Sequence, residues 1–156
     1  MTADDRSSHP TRSVPALSPR LAAIVDALPL APGMRVLEIG CGPGAAAREV
    51  ARRVAPGHVM AIDRSAAAVS RVERTAAAEI SAGRLSVRCV AVEDFELDVG
   101  EPPFDLVFAV RVGALDGRHP AVGEIALQRL SVVMAPGADL FVDGGDPLRR
   151  IDVPRP

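Results

Sequence analysis

The segment Arg35–Ile39 and the glycines that follow it constrain the fold more than any other part of the chain. These five residues are mostly apolar and β-prone, and they run directly into Gly40, Gly42 and Gly44. Glycine adopts the sharp turns that other residues resist, and it lets backbone N–H groups approach a ligand that a Cβ would block. An alanine-rich stretch then covers residues 45–55. The segment is therefore predicted to form a strand, a tight turn and a helix.

The same unit recurs along the chain. Further strands are predicted at 58–62, 85–92, 104–110 and 140–142, and further helices at about 19–28, 65–81 and 119–134. Strands that alternate with helices of this length form right-handed crossovers and a parallel sheet covered on both faces. The expected fold class is α/β, a Rossmann-like three-layer sandwich with a mostly parallel sheet, truncated after strand five. Ligands bind such sheets beyond the carboxyl ends of the strands.

A length of 156 residues fits one domain. Residues 1–18 are rich in Ser, Thr, Pro and charge, and we expect a mobile N-terminal tail there. Residues 19–145 are expected to form the domain and residues 146–156 a C-terminal tail, in which Arg149 is solvated. Strand five would then be a free edge, which is either paired in a homodimer or covered by the C-terminal tail.

Composition excludes several classes of function. The chain has no lysine, which rules out a lysine Schiff base and a phosphate-loop lysine. A net charge of −2 with scattered arginines indicates no nucleic-acid partner. No apolar run is long enough to span a membrane, and no signal peptide is recognised. Cys41 and Cys89 have no partner at metal-ligand spacing, so a reduced cytoplasmic protein without a metal site is expected, with Cys89 in the core.

Two acids near the glycine turn indicate the class of ligand. The pattern Gly40-x-Gly42-x-x-Ala45 also fits a dinucleotide site, in which the helix N-terminus faces a pyrophosphate. Glu38 is poorly placed beside a pyrophosphate but suits a ligand with an ammonium group; its alternative role is as a partner of the helix N-terminus. Asp63 can accept hydrogen bonds from the hydroxyls of an adenosine ribose in either class of site, or can cap a helix.

The stretch VLEIGCGPG at 36–44 resembles motif I of class I S-adenosylmethionine-dependent methyltransferases. The stretches VMAIDRS, PFDLVFAVRV and LSVVMAPGADLFV resemble later motifs of that family, so the resemblance covers residues 21–142. It implies S-adenosylmethionine as cofactor. A small-molecule acceptor is expected, because the residues after strand four do not form the Asn/Asp-Pro-Pro-aromatic motif of amino-group DNA methyltransferases. The resemblance also implies that Glu38 meets the amino group of the methionine part and that Asp63 binds the ribose. The other implied cofactor-binding residues are Gly40, Cys41, Gly42, Gly44, Arg64, Val92, Glu93 and Ala109.

The chain departs from that family in two places. Val90 and Ala91 stand where the family has a Gly-Asp pair, so Glu93, Asp94 or the backbone near Val92 would contact adenine. The family's sheet has seven strands, whereas residues after 142 are too few for a long helix and two more strands.

Two residues are candidates for the reaction itself. Arg111 follows the fourth strand and can hold an anionic acceptor, or else is a structural arginine paired with Asp105 or Asp116. His119 is a candidate base, or else a solvated or capping histidine. Two other functions stay open: a binding or partner-interaction module of this fold without its own catalysis, and a nicotinamide-dependent oxidoreductase.

Overall fold

The computed structural model describes residues 17–156, which contain five helices and six strands. The helices are α1 (Pro19–Ala27), α2 (Ala45–Val54), α3 (Ala66–Thr75), α4 (Ala77–Ser81) and α5 (Pro120–Val133). The strands are β1 (Arg35–Ile39), β2 (His58–Asp63), β3 (Leu85–Cys89), β4 (Phe104–Ala109), β5 (Met134–Asp143) and β6 (Leu148–Ile151), and a 3₁₀ turn spans Val92–Asp94. The predicted mobile tail lies mostly outside the described residues.

The strands form one sheet in the order β3-β2-β1-β4-β5-β6. The first five strands in that order are parallel to their neighbours, and β6 is antiparallel to β5. The chain builds outward from β1 through β2 to β3, and then crosses back to place β4 on the other side of β1. The connections that follow β1 and β4 diverge from each other, so the carboxyl ends of these two neighbouring strands border a crevice. The predicted class, an α/β sandwich with a mostly parallel sheet, is confirmed.

Two apolar layers cover the sheet, and the alternation of side chains along the strands assigns residues to them. Val36 of β1 packs in one layer with residues of α1, α2 and α3. Leu37 and Ile39 point to the other face, where they pack with α5 and the 3₁₀ turn. Glu38 shares the orientation of Val36, so a carboxylate occupies a position on the α2 face that otherwise takes apolar side chains.

The predicted helix starts follow from local capping. The Ser18 hydroxyl accepts a hydrogen bond from the Leu21 N–H at 3.2 Å and caps α1, while Ser65 caps α3 through the Ala68 N–H at 3.2 Å. The single helix predicted for 65–81 is divided at Ala76 into α3 and α4. The predicted helix ends are otherwise within one or two residues of the observed ends.

The carboxyl-terminal part of the sheet corrects the sequence prediction. β5 covers residues 134–143 rather than 140–142, and β6 lies inside the range 146–156 that was expected to be a tail. Residues 140–143 pair with β6, so the covered edge, one of the two expected arrangements, is observed. The turn depends on Gly144, with φ of 97°, and on Gly145, where a Cβ would lie 2.2 Å from the Leu148 carbonyl oxygen. A homodimer through this side would have to use the outer edge of β6.

β3 is also shorter than predicted, since it ends at Cys89 instead of 92. Beyond it the backbone leaves the sheet, and the Val90 N–H donates to the Asp63 carbonyl oxygen at 3.0 Å. Within residues 17–156, no helix has both the length and the apolar composition needed to cross a membrane.

Substitution of Gly57 tests the close approach of the loops that precede β1 and β2. A Cβ at Gly57 would lie 2.1 Å from the Met34 carbonyl oxygen, so Gly57→Ala must separate two backbone segments. We expect a loss of ~2–4 kcal/mol in the free energy of unfolding, measured by urea denaturation. The control is Gly83→Ala, where φ is 74° and none of the described residues lies within 4 Å of the added Cβ; only backbone strain of ~1 kcal/mol is expected there. Equal losses in the two variants would contradict the close contact.

Candidate functional site

A cleft of about 660 Å³ opens at the carboxyl ends of β1, β2 and β4. This volume is in the range of small-molecule sites. The residues predicted for the site that line it are Gly40, Gly42, Asp63, Arg64, Val92, Glu93, Arg111 and His119. Four other predicted residues do not line it: Glu38, Cys41, Gly44 and Ala109. The topology thus gathers residues from five separate segments of the chain around one opening.

The glycine turn forms one wall of the cleft. The N–H groups of Gly40 and Cys41 both donate to the Ile62 carbonyl oxygen, at 2.8 and 3.1 Å, which anchors the turn to β2. Gly40 has φ of 72°, and a Cβ there would lie 2.7 Å from Val112 Cγ2. Gly44 stands at the N-cap of α2 in a left-handed conformation. The turn therefore requires glycine both for its backbone angles and for the close approach of the loop after β4.

Asp63 connects the glycine turn to the start of α3. Its Oδ2 accepts a hydrogen bond from the Gly42 N–H at 3.1 Å, and its Oδ1 accepts one from the Ser65 N–H at 2.9 Å. Each carboxylate oxygen has a second lone pair, so both oxygens can still accept hydrogen bonds from a ligand. The Ser65 hydroxyl already caps α3, so helix capping alone does not explain why Asp63 occupies this position.

Glu38 is a buried carboxyl group beneath the glycine turn. The residue is 3% exposed, and within residues 17–156 its Oε2 has no hydrogen-bond partner. Burial, followed by the nearby charge of Asp63, raises the pKa of Glu38 to about 8, while the Ala47 N–H in the first turn of α2 opposes that rise. The alternative role of Glu38, as a partner of the N-terminus of α2, is therefore only partly sufficient. It leaves the Oε2 atom without a hydrogen-bond partner among residues 17–156.

The two cysteines differ in environment. Cys41 is buried in the glycine turn, and burial, with Glu38 and Asp63 nearby, raises the pKa of its thiol to about 12. The thiol therefore stays protonated at neutral pH and is a poor nucleophile. The prediction that Cys89 lies in the core is wrong: it is exposed, because β3 is the outermost strand and Cys89 is its last residue. Its Sγ lies 3.7 Å from the Arg64 carbonyl oxygen.

The segment after β3 forms the opposite wall. Val92 is buried at the start of the 3₁₀ turn, and the half-buried Glu93 lines the cleft. The Glu93 carbonyl oxygen accepts a hydrogen bond from Arg129 Nε at 3.2 Å, which ties this wall to α5. Ala109, at the end of β4, is buried between Ile39 and Val142 and does not reach the cleft.

The segment after β4 carries both candidates for the reaction. Arg111 has φ of 57°, which is uncommon for a residue with a side chain, and its N–H donates to Asp143 Oδ1 at 3.0 Å. The suggested pairing of Arg111 with Asp105 or Asp116 is wrong for the described residues. Asp105 instead accepts a hydrogen bond from the Arg35 N–H at 2.8 Å, and Asp116 pairs with Arg118 at 2.6 Å.

His119 occupies the N-cap position of α5, but its side chain caps no N–H group, so the capping alternative is also wrong. The exposed imidazole lies against Gly113, where a Cβ would be 3.1 Å from its Cδ2. Sequence reasoning missed several lining residues that lie further along the chain, namely Gly113, Ala114, Arg118 and Val122. The rule that ligands bind beyond the ends of parallel strands would have pointed to this segment as a whole.

Comparison with known proteins gives one family and many similar folds. A family model described as a methyltransferase domain matches residues 36–137. No curated protein sequence matches the chain at a significant level.

Three solved structures illustrate the likeness. The [4+2]-cyclase SpnF has a TM-score of 0.62 and 24% identity, with 78% of this chain and 42% of that chain covered. The CcbJ methyltransferase from Streptomyces caelestis has a TM-score of 0.61 and 24% identity, with coverage of 79% and 50%. Coclaurine N-methyltransferase, bound to N-methylheliamine and SAH, has a TM-score of 0.63 and 19% identity, with coverage of 78% and 35%. The chain spans half or less of the length of these proteins, and the likeness establishes the fold.

The pH dependence of stability tests the burial of Glu38. Its folded-state pKa of about 8 lies above the ordinary value of 4.5, so stability from this group is present below pH 4.5 and is lost as pH rises through 8. Glu38→Gln removes the charge and should therefore be more stable than the wild type at pH 9 by ~2–4 kcal/mol, with little difference at pH 5. Urea denaturation at both pH values measures this. The control is Glu73→Gln on the exposed side of α3. A Glu38→Gln effect that is equal at both pH values would contradict the buried charge.

Proposed function

The chain belongs to the methyltransferase-domain family, and from this premise we propose that its cleft binds S-adenosylmethionine and that the protein methylates a small-molecule acceptor. The observation that carries the proposal is the buried Glu38 carboxyl beneath the glycine turn, whose Oε2 has no hydrogen-bond partner among residues 17–156. An unpaired polar group of this kind costs free energy unless a ligand satisfies it. The amino group of S-adenosylmethionine has the charge and the donors to do so.

The remaining residues around the cleft fit the other parts of such a ligand. Asp63 would accept hydrogen bonds from the ribose hydroxyls, since it keeps free lone pairs at the end of β2. Val92 would pack against adenine and Glu93 would hydrogen-bond to it. The backbone of residues 40–44 would lie against the methionine part, because glycine leaves room for it. Arg64 lines the cleft beside Asp63 and is exposed.

The reaction asks little of the protein beyond orientation and removal of a proton. When bound, the cofactor supplies a methyl carbon whose bond to sulfur breaks, with its electron pair kept by sulfur, as the bond from the acceptor forms. In our proposal the His119 imidazole takes the proton that the acceptor loses. The loop after β4 orients the acceptor, and its packing of Val112 against Gly40 keeps it next to the turn.

Two other functions are alternatives to methyl transfer. One is a module of this fold that binds the cofactor or a partner without transferring methyl groups. It draws support from SpnF, which has a similar fold and is described as a cyclase, because a fold does not dictate a reaction. The other is a nicotinamide-dependent oxidoreductase. Glu38 beneath the turn disfavours it, because the negative charge of a pyrophosphate would oppose ionisation of Glu38 and would leave this carboxyl group without a cationic partner.

Asp63→Ala tests the nucleoside half of the cleft. We expect it to weaken binding of S-adenosylhomocysteine by ~1–3 kcal/mol through the loss of charge-assisted hydrogen bonds, measured by isothermal titration calorimetry. The control is Asp152→Ala, an exposed acid that follows β6. Circular dichroism and thermal unfolding establish that each variant is folded. Unchanged affinity in folded Asp63→Ala, or preference of the wild type for NAD, would overturn the assignment.

Proton release tests the contact between Glu38 and the amino group. With a pKa of about 8, Glu38 is mostly protonated at pH 7 and must ionise to pair with an ammonium group. Binding of S-adenosylhomocysteine at pH 7 should release about one proton, seen as different binding heats in phosphate and Tris buffers. Neither Glu38→Gln with the same ligand nor the wild type with 5′-methylthioadenosine, which lacks the amino group, should release it. Equal heats in both buffers for the wild type would show that Glu38 does not ionise on binding.

A further inference from the structure

A second cavity adjoins the proposed cofactor cleft. It has a volume of about 630 Å³ and is lined by Arg111, Asp116, Arg118, Asp143, Gly144 and Arg149. Arg111 and Arg118 line the cleft as well, so the two spaces share a wall. The cavity therefore lies where a second ligand would sit next to the first, and apart from one glycine its lining consists of charged residues.

The charges in this cavity do not cancel. Three guanidinium groups face two carboxylates, and both carboxylates already have partners. Asp116 pairs with Arg118 at 2.6 Å. Asp143 pairs with Arg20 of α1 at 2.8 Å, and it also accepts the Arg111 N–H. Within residues 17–156, the side chains of Arg111 and Arg149 have no acidic partner. The cavity thus has an excess of positive charge from two guanidinium groups that are free to bind an anion.

The backbone holds these two arginines in place. Arg111 has φ of 57°, and the hydrogen bond to Asp143 maintains that conformation at the boundary between cleft and cavity. Arg149 belongs to β6, where its pairing with Val142 of β5 places it at the same end of the sheet. Arg149 is exposed, as expected, but it lies in a strand of the sheet and not in a C-terminal tail.

We propose that this cavity binds an oxyanion group, a carboxylate or a phosphate, of the methyl acceptor through Arg111 and Arg149. The planar guanidinium group matches both anions with two parallel hydrogen bonds. The anion would anchor the acceptor in the cavity, and the shared wall would let the rest of the molecule reach into the cleft. This inference rests on the proposed function, because an acceptor has meaning only beside a bound methyl donor.

The experiment follows the Nε–Hε resonances of the arginine side chains by NMR in ¹⁵N-labelled protein of full length. Inorganic phosphate and acetate are titrated in separate arms, and sodium chloride keeps the ionic strength constant. We expect saturable shifts of the Arg111 and Arg149 signals with at least one of the two anions. Saturation by phosphate alone identifies a phosphate-bearing acceptor, and saturation by acetate alone identifies a carboxylate. Shifts that stay linear with both anions would overturn the inference.

Three variants give the test its specificity. Arg111→Asn removes the charge with a residue that tolerates the left-handed backbone, and Arg149→Gln removes the other charge in β6. Each should weaken anion binding at least about fivefold. The matched control, Arg71→Gln, alters an exposed arginine of α3 that lines neither space and should leave binding unchanged. Equal anion affinity in all three variants would overturn the role of the cavity.

Titration with S-adenosylhomocysteine separates this inference from the proposed function. If the two arginines serve the acceptor, Arg111→Asn and Arg149→Gln keep wild-type affinity for S-adenosylhomocysteine, and the saturated protein still binds the anion. Loss of that affinity, or competition between the two ligands, would show that the arginines hold the carboxylate of the cofactor itself, and would overturn the inference. Anion binding without any binding of S-adenosylhomocysteine would contradict the proposed function and leave the anion site standing.

Discussion

The structure around the cleft depends on a buried carboxyl group that the described residues leave partly without hydrogen-bond partners. Glu38 stands in β1 on the face that packs against α2, among residues that are otherwise apolar. Removing a carboxylate from water is costly, and the Ala47 N–H offsets only part of that cost. The fold tolerates Glu38 because the group can stay protonated at neutral pH. The same property makes the position responsive to a cationic ligand, since a nearby ammonium group would favour the charged form.

Two acidic residues, each at the end of a strand, hold the loops around the cleft by accepting hydrogen bonds from backbone N–H groups. Asp63, at the end of β2, accepts hydrogen bonds from backbone N–H groups of the glycine turn and of the segment before α3. Asp143, at the end of β5, accepts one from Arg111 in the segment after β4. A carboxylate satisfies N–H groups that the sheet leaves free, and it binds them more strongly than a neutral acceptor does. The loops that border the cleft are therefore ordered by the strands next to them.

The parts of the fold that could be predicted are those set by local rules. The order of strands and helices, the caps at Ser18 and Ser65 and the strand, turn and helix around residues 35–54 all depend on neighbours in the chain. The family predicted from the sequence is confirmed by the family match over residues 36–137. β6 was missed because a short strand with two arginines has no distinctive pattern, and it is stabilised by pairing with β5.

For the candidate site, residue types and periodicity determined that a glycine turn, Glu38 and Asp63 would meet at the carboxyl end of a parallel sheet, because chain topology brings the ends of such strands together. Only the tertiary structure decided what each group faces. In the described part of the chain, Glu38 Oε2 has no partner, and Asp116 pairs with Arg118 rather than with Arg111. The tertiary structure also placed Arg149 in a cavity beside the cleft. Burial, ion pairing and cavities arise between segments that are distant along the chain, so no local pattern determines them.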